Sequence, residues 1–132
     1  MGLAPLNLRV RVEAGEIFAA LKQFNAAAEQ FRMATRLNPG LGQNWFLYGS
    51  ALLTSGQPTQ AVDSLQTAVQ LLPEFVPARL NLAASLMKSG RANEALDQLE
   101  EVLQRDPTNS LARMYAAALR SRETATNSNR LP

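Results

Sequence analysis

The chain has 132 residues, a formal net charge of +2, and neither cysteine nor histidine. That length fits one domain with a core of its own. Disulfides and thiolate metal sites are excluded, and the commonest general base and metal ligand is missing, so catalysis would fall to carboxylates, Lys, Tyr or Ser.

Of the 13 basic residues only Lys22 and Lys88 are lysine. The bases are scattered rather than clustered, which argues against a nucleic-acid partner. No apolar run approaches about 18 residues, so no membrane insertion is expected. Residues 1–6 lack the charged and apolar regions of a signal peptide. Leu6 stands where myristoylation needs Ser or Thr. A cytoplasmic protein, or a domain of a longer one, is expected.

A repeat organises the chain. Pro39, Pro73 and Pro107 are spaced by 34, and so are Ala27, Ala61 and Ala95. Phe31, Leu65 and Leu99 share the spacing, as do Ala34, Ala68 and Val102. Gly15, Gly49, Ala83 and Ala117 carry it into a fourth copy. The units are residues 8–41, 42–75 and 76–109, with a half unit at 110–122.

Each unit reads as two helices. The first has a helix over 8–21, a turn near Lys22–Phe24, a helix over 25–37 and a stop at Pro39. In the second, Trp45, Tyr48, Leu52 and Leu53 recur at helical spacing over 42–55. Gly56 breaks that helix, and Pro58 suits the first turn of the next, where its missing N–H costs nothing. Ala61, Val62, Leu65, Ala68, Val69 and Leu72 mark this second helix, which Pro73 ends. The third unit repeats the plan over 76–89 and 92–105, with Gly90 between and Pro107 after. Strand-like alternation is absent. The small residues at Gly15, Gly49 and Ala83, facing Ala27, Ala61 and Ala95, let paired helices approach closely. Phe31, Leu65 and Leu99 fill the space between hairpins. One hairpin cannot bury its apolar face alone, whereas a stack makes a continuous core.

The half unit at 110–122 is apolar around most of its circumference, from Met114 to Leu119. A helix apolar all round is usually buried. Either a further repeat follows it in a parent protein or it meets a second copy, through Tyr115 and Leu119. The segment 123–132 reads as a flexible tail. Gly40-Leu41-Gly42 joins two helices and is a linker rather than a phosphate loop. Asp97, Glu100 and Glu101 form a solvated face, and Trp45 is a core residue.

The ladder Trp45, Tyr48, Gly49, Leu52, Ala61, Leu65, Ala68, Pro73 resembles the tetratricopeptide repeat. The resemblance covers residues 8–109 and, as a lone first helix, about 110–122. It implies an all-α solenoid, a right-handed superhelix of antiparallel helix hairpins. One departure is the fourth position of each unit, Trp45 in the second but Arg11, Arg79 and Arg113 elsewhere. There the arginine stems are expected to pack while their heads reach solvent.

The resemblance also implies a concave groove, lined by the first helices, that holds a peptide or amphipathic helix of a partner protein. Val12, Phe46, Leu80 and Met114 occupy one groove position; Glu13, Leu47, Asn81 and Tyr115 the next. Glu16, Ser50, Ala84 and Ala118 occupy a third, and Ala19, Leu53, Met87 and Ser121 a fourth. The groove is thus mostly apolar, with an acidic end at Glu13 and Glu16. Asn81 and Ser50 would hydrogen-bond the guest's backbone. Members that grip the acidic C-terminal tails of Hsp70 or Hsp90 use Lys or Arg and Asn at positions held here by Val12, Glu16, Leu47, Pro77 and Asn81. Only Asn81 is polar and neutral and Glu16 has the wrong sign, so those tails are not expected as ligands. From Leu37 to Leu72 only Asp63 is charged, which leaves the middle of the chain open to contact. No cofactor, metal or enzymatic activity is expected. The alternatives are a self-assembling scaffold, as a homodimer or larger, and the recruiting domain of a larger protein or enzyme.

Overall fold

The computed structural model describes residues 3–130. Met1, Gly2, Leu131 and Pro132, the extremities of the expected domain and tail, lie outside the described residues. The described chain is helical, with no strand in it: α1 (Leu3–Ala20), α2 (Phe24–Leu37), α3 (Gly42–Thr54), α4 (Pro58–Leu71), α5 (Val76–Lys88), α6 (Ala92–Arg105) and α7 (Ser110–Ser128). Each helix packs on its neighbours in sequence, so the hairpins α1–α2, α3–α4 and α5–α6 stack in order and α7 closes on α6. Between hairpins α3 also touches α5, and α5 touches α7. Seven helices thus make three antiparallel hairpins and one further helix.

The prolines stop the second helices as their spacing predicts. α2, α4 and α6 each give way to a turn with proline at its second place, closed by hydrogen bonds from Leu41 N–H to Asn38 O, Phe75 N–H to Leu72 O and Asn109 N–H to Asp106 O. Proline's fixed φ suits that place. At the start of α7 the Asn109 side chain accepts from the Ala112 N–H at 3.0 Å, a helix N-cap.

The turns inside the hairpins are built alike. Gly56 and Gly90 have φ of +83° and +77°, and Lys22, at the same repeat position, has φ of +59°. Each first helix ends with a bond that steps five residues back: Gln23 N–H to Phe18 O, Gln57 N–H to Leu52 O and Arg91 N–H to Leu86 O, all 2.8 Å. This closure needs one left-handed residue, which glycine adopts freely and lysine does not.

The interior of each hairpin is set by small residues. Ala27, Ala61 and Ala95 are fully buried, as are Leu65, Leu99 and Val102. A methyl group added at Gly49 would come within 2.6 Å of Leu65 Cγ, and one at Gly15 would collide with the Phe31 ring. The helices approach closely because a leucine or phenylalanine of one lies directly on the bare glycine backbone of the other.

The end of the chain departs from expectation. The flexible tail foreseen from Glu123 begins as helix, because α7 continues to Ser128 with its last two turns exposed. No glycine or proline interrupts Glu123–Ser128, so nothing in the sequence stops the helix at residue 122.

Three substitutions test these local readings by thermal or urea unfolding. Lys22→Gly relieves the left-handed residue and is expected to stabilise by about 1 kcal/mol, while Gly56→Ala costs about 1 kcal/mol or more. Asn44, 2% exposed, buries its Nδ2 with no hydrogen-bond acceptor, where the next two units carry Ala78 and Ala112. Asn44→Ala is expected to raise stability by about 1 kcal/mol. A loss of that size from Lys22→Gly or from Asn44→Ala, or no loss from Gly56→Ala, would overturn the reading of that position.

Candidate functional site: the face of the first helices

The residues expected to line a groove all lie on α1, α3, α5 and α7, the first helices of their units. Leu47, Leu53, Leu80, Met87 and Tyr115 are half-buried, each with one side against the core. Val12 and Ala84 are half-buried as well, whereas Glu13, Glu16 and Met114 are exposed. Phe46 is less free than foreseen. Its ring stands edge-on to Phe75 with centroids 4.9 Å apart, so it joins one hairpin to the next.

The structure draws four of these residues together. Between α1, α2 and α3 lies a hollow of about 240 Å³ lined by Glu16, Ala19, Phe24, Phe31, Leu47, Ser50, Ala51 and Thr54. Ser50 Oγ accepts from Asn81 Nδ2 at 2.8 Å, which ties α5 to α3 beside the hollow. Ser50 and Asn81 therefore hold each other. The serine hydroxyl hydrogen and the asparagine carbonyl oxygen are the groups left to offer a guest. Thr54 Oγ1 donates to the Ser50 carbonyl at 2.9 Å, the usual return bond of a helical threonine.

Sequence reasoning did not find Phe24, Ala51 or Thr54 as lining residues. Phe24 carried a signal. It opens α2 where Pro58 and Ala92 open α4 and α6, so it is the one aromatic at that repeat position. A second hollow, about 450 Å³, lies where α7 passes α5 and α6, lined in part by Met87, Leu119, Arg122 and Thr126. It exists because α7 runs past the length of the other first helices.

Self-association through Tyr115 and Leu119 does not fit the geometry. Leu119 is 2% exposed and Tyr115 packs on the core, because their side of α7 faces the preceding hairpin. The outward side carries Leu111, Met114, Ala117 and Ala118.

The fourth position of the first and third units is less solvated than expected, whereas Arg113 in the half unit is exposed. Arg11 Nη1 donates to Gln30 Oε1 at 3.1 Å, and Arg79 Nη1 to Gln98 Oε1 at 3.0 Å. The arginine heads therefore end on the second helix of their own hairpin. Glu13 pairs with Arg9 at 2.7 Å, while Glu16 belongs to no ion pair among the described residues.

Carboxylates with pKa values below the usual range lie on second helices or in turns. Glu29 is lowered by its bond from Arg32, Glu94 by its bond from Arg91, and Asp106 by the Thr108 hydroxyl. None of the three lines the hollow between α1 and α3.

Known proteins share this architecture. The peroxisomal targeting signal receptor of Kluyveromyces lactis is 33% identical over 81 residues, 61% of this chain but only 14% of the receptor. The chain thus spans a small part of that relative. YrrB, described as a TPR protein with an unusual peptide-binding site, superposes with a TM-score of 0.81 at 27% identity, over 93% of this chain and 61% of its own. The second TPR domain of human RPAP3, solved with the HSP70 peptide SGPTIEEVD, gives 0.83 at 17% identity, over 89% of this chain and 98% of its own. The first TPR of Spaghetti, bound to the HSP90 peptide SRMEEVD, gives 0.84 at 18% identity, over 90% and 94%.

The last two correct the expectation that excluded the tails of Hsp70 and Hsp90. Domains of this fold hold those tails, so side chains at five groove positions are no ground for exclusion. A carboxylate needs charged or amide donors within reach rather than at one fixed register. The tetratricopeptide repeat profile matches residues 52–120, slightly more than half of the sequence, and with the fold in agreement the chain belongs to the tetratricopeptide repeat family.

Proposed function

We propose that this chain is a protein-recognition module that seats a peptide or amphipathic helix of another protein along α1, α3, α5 and α7. One apolar side chain of the guest enters the hollow between α1 and α3. The observation that carries this reading is the hollow itself. Its floor is aromatic and aliphatic, from Phe24, Phe31, Leu47 and Ala51, and Glu16 and Ser50 stand among its lining residues. A pocket of that kind accepts a leucine- or phenylalanine-sized group and orients it through a few polar contacts. Glu16, exposed and outside any ion pair among the described residues, favours a basic residue beside the inserted side chain.

The names of two similar proteins support the reading, since one is a targeting-signal receptor and the other has a peptide-binding site. The relative's much greater length supports a second reading in the same class, in which the module recruits partners for a larger protein. Scaffold or adaptor work, a cytoplasmic place and the lack of a catalytic role belong to this proposal and rest on the sequence reading. No helix among the described residues is long and apolar enough to cross a membrane.

The test is fluorescence anisotropy with labelled twelve-residue peptides that carry one Leu or Phe flanked by Lys or by Asp, with SGPTIEEVD and SRMEEVD alongside. Lys-flanked peptides are expected to bind best. Leu47→Ala should weaken them about tenfold, the equivalent of ~1.4 kcal/mol. Glu16→Gln should reduce the Lys-over-Asp preference by a factor of about 2 to 5, the scale of an exposed ion pair. No saturable binding up to about 1 mM, or indifference to Leu47→Ala in a folded variant, would overturn the reading. Tight binding of the acidic peptides alone would replace it with carboxylate capture.

A further inference from the structure

The repeat provides an internal standard for which helix faces should be covered. On α5 and α7 the side facing the preceding hairpin is closed: Ala78, Leu82, Ala112, Ala116 and Leu119 are all 2% exposed or less. The equivalent side of α1 is open. Val10 is 50% exposed and Ile17 61%, and Leu21, further along the same stripe, is also 61% exposed. With Ala14 these residues fall at i, i+4, i+7 and i+11, one continuous apolar face.

The opposite end of the stack is open in the complementary sense. Gly15 and Gly49 lie beneath Phe31 and Leu65 of their own second helices. Ala117, at the same register on α7, is exposed, and beside it Met114 is 58% exposed. Each end therefore presents a helix with one apolar side uncovered.

Three observations identify the cover as another copy. The two helices match in length: α1 has 18 residues and α7 has 19, whereas the other five have 13 or 14. Their unpaired charges are complementary: among the described residues Glu16 on α1 belongs to no ion pair, nor do Arg113 and Arg122 on α7, whereas Glu13 is already paired with Arg9 and Arg120 with Glu100. Their surfaces also fit in relief, with the large Val10, Ile17 and Leu21 opposite the small Ala117 and Ala118. Two α7 helices would instead oppose Arg113 and Arg122 to their own kind.

We propose that copies of this chain stack head to tail, with α7 of one against α1 of the next. The contact is heterologous, so it leaves one free end of each kind and extends into short filaments rather than closing as a dimer.

Light scattering on a sizing column, from roughly 10 µM to 1 mM, tests this with two variants. Ile17→Glu blocks the α1 face and Met114→Glu the α7 face. Both sites are more than half exposed, and circular dichroism checks that the helices persist. Leu21→Glu and Leu111→Glu serve as a second pair should either variant lose helix. The wild type is expected to gain mass with concentration, and each variant alone to stay at 14.4 kDa. An equimolar mixture should form a species of twice that mass and stop there, because each variant retains the face the other lacks. A wild type that stays single at 1 mM overturns the proposal and leaves the faces to another protein. So does a variant that still dimerises alone, or a mixture that does not pair.

Discussion

The tight contact inside each of the first two hairpins, at Gly49 against Leu65 and Gly15 against Phe31, sets the dimensions of everything else. With no side chain on one helix, a leucine or phenylalanine of the other lies against bare backbone. The hairpin interior thus holds Phe31 and Leu65 over the glycines beside the small Ala27 and Ala61, and further large groups meet at the seams between hairpins. Phe46 and Phe75 meet at one seam. A helix pair this tight presents its apolar surface on its flanks rather than within, which is why a single hairpin is unstable and a stack is stable.

The fourth position of the repeat shows how different chemistry performs one task inside that frame. Trp45 Nε1 donates to the Pro39 carbonyl at 2.8 Å, and Arg79 Nε donates to the Pro73 carbonyl at 3.3 Å, six residues back in both cases. The carbonyl belongs to the turn that ends the preceding unit, so either donor fastens one unit to the next. Their neighbours on the second helix differ to suit. Gln30 and Gln98 receive Arg11 and Arg79, whereas the equivalent residue beside the bulkier indole is the small, buried Ser64. The exchange of tryptophan for arginine is thus matched by serine for glutamine.

The hairpins, their turns and their stops were legible because backbone chemistry writes them in residue types. Proline cannot continue a helix, glycine alone turns left without strain, and alanine alone fits a close crossing. Lys22 shows the limit, since a lysine carries no sign that its backbone must match Gly56 and Gly90, and only the repeat register reveals it. α7 shows another, because Glu123–Ser128 is polar yet contains nothing that stops a helix. The groove was legible as a set of positions but not as a shape. Which of those positions stay open depends on the residues of second helices, such as Phe24 and Phe31, that rise between them. Leu119 misled for a related reason. An apolar helix has an inner and an outer side, and composition alone does not say which is which.

The placement of the hollow follows from the same register. Ala19, Ser50 and Ala51 are small where α1 and α3 pass, and Phe24 and Phe31 wall the gap without filling it. One seam further on, Asn81 reaches back to Ser50 and fastens α5 to α3 by a side-chain bond at the same level. The gap therefore opens at one seam and is bridged at the next. A hollow bounded by helices already packed on the core needs little reordering when a guest side chain enters, and the cost of association falls accordingly. The charge-poor stretch from Leu37 to Leu72 spans α3 and α4, so the seam with the hollow is bounded on one side by a hairpin whose single charged residue is Asp63 and on the other by Glu16. An apolar side chain next to a cation fits that boundary better than either group alone: the hollow removes the first from water, and the carboxylate faces the second while water still reaches both.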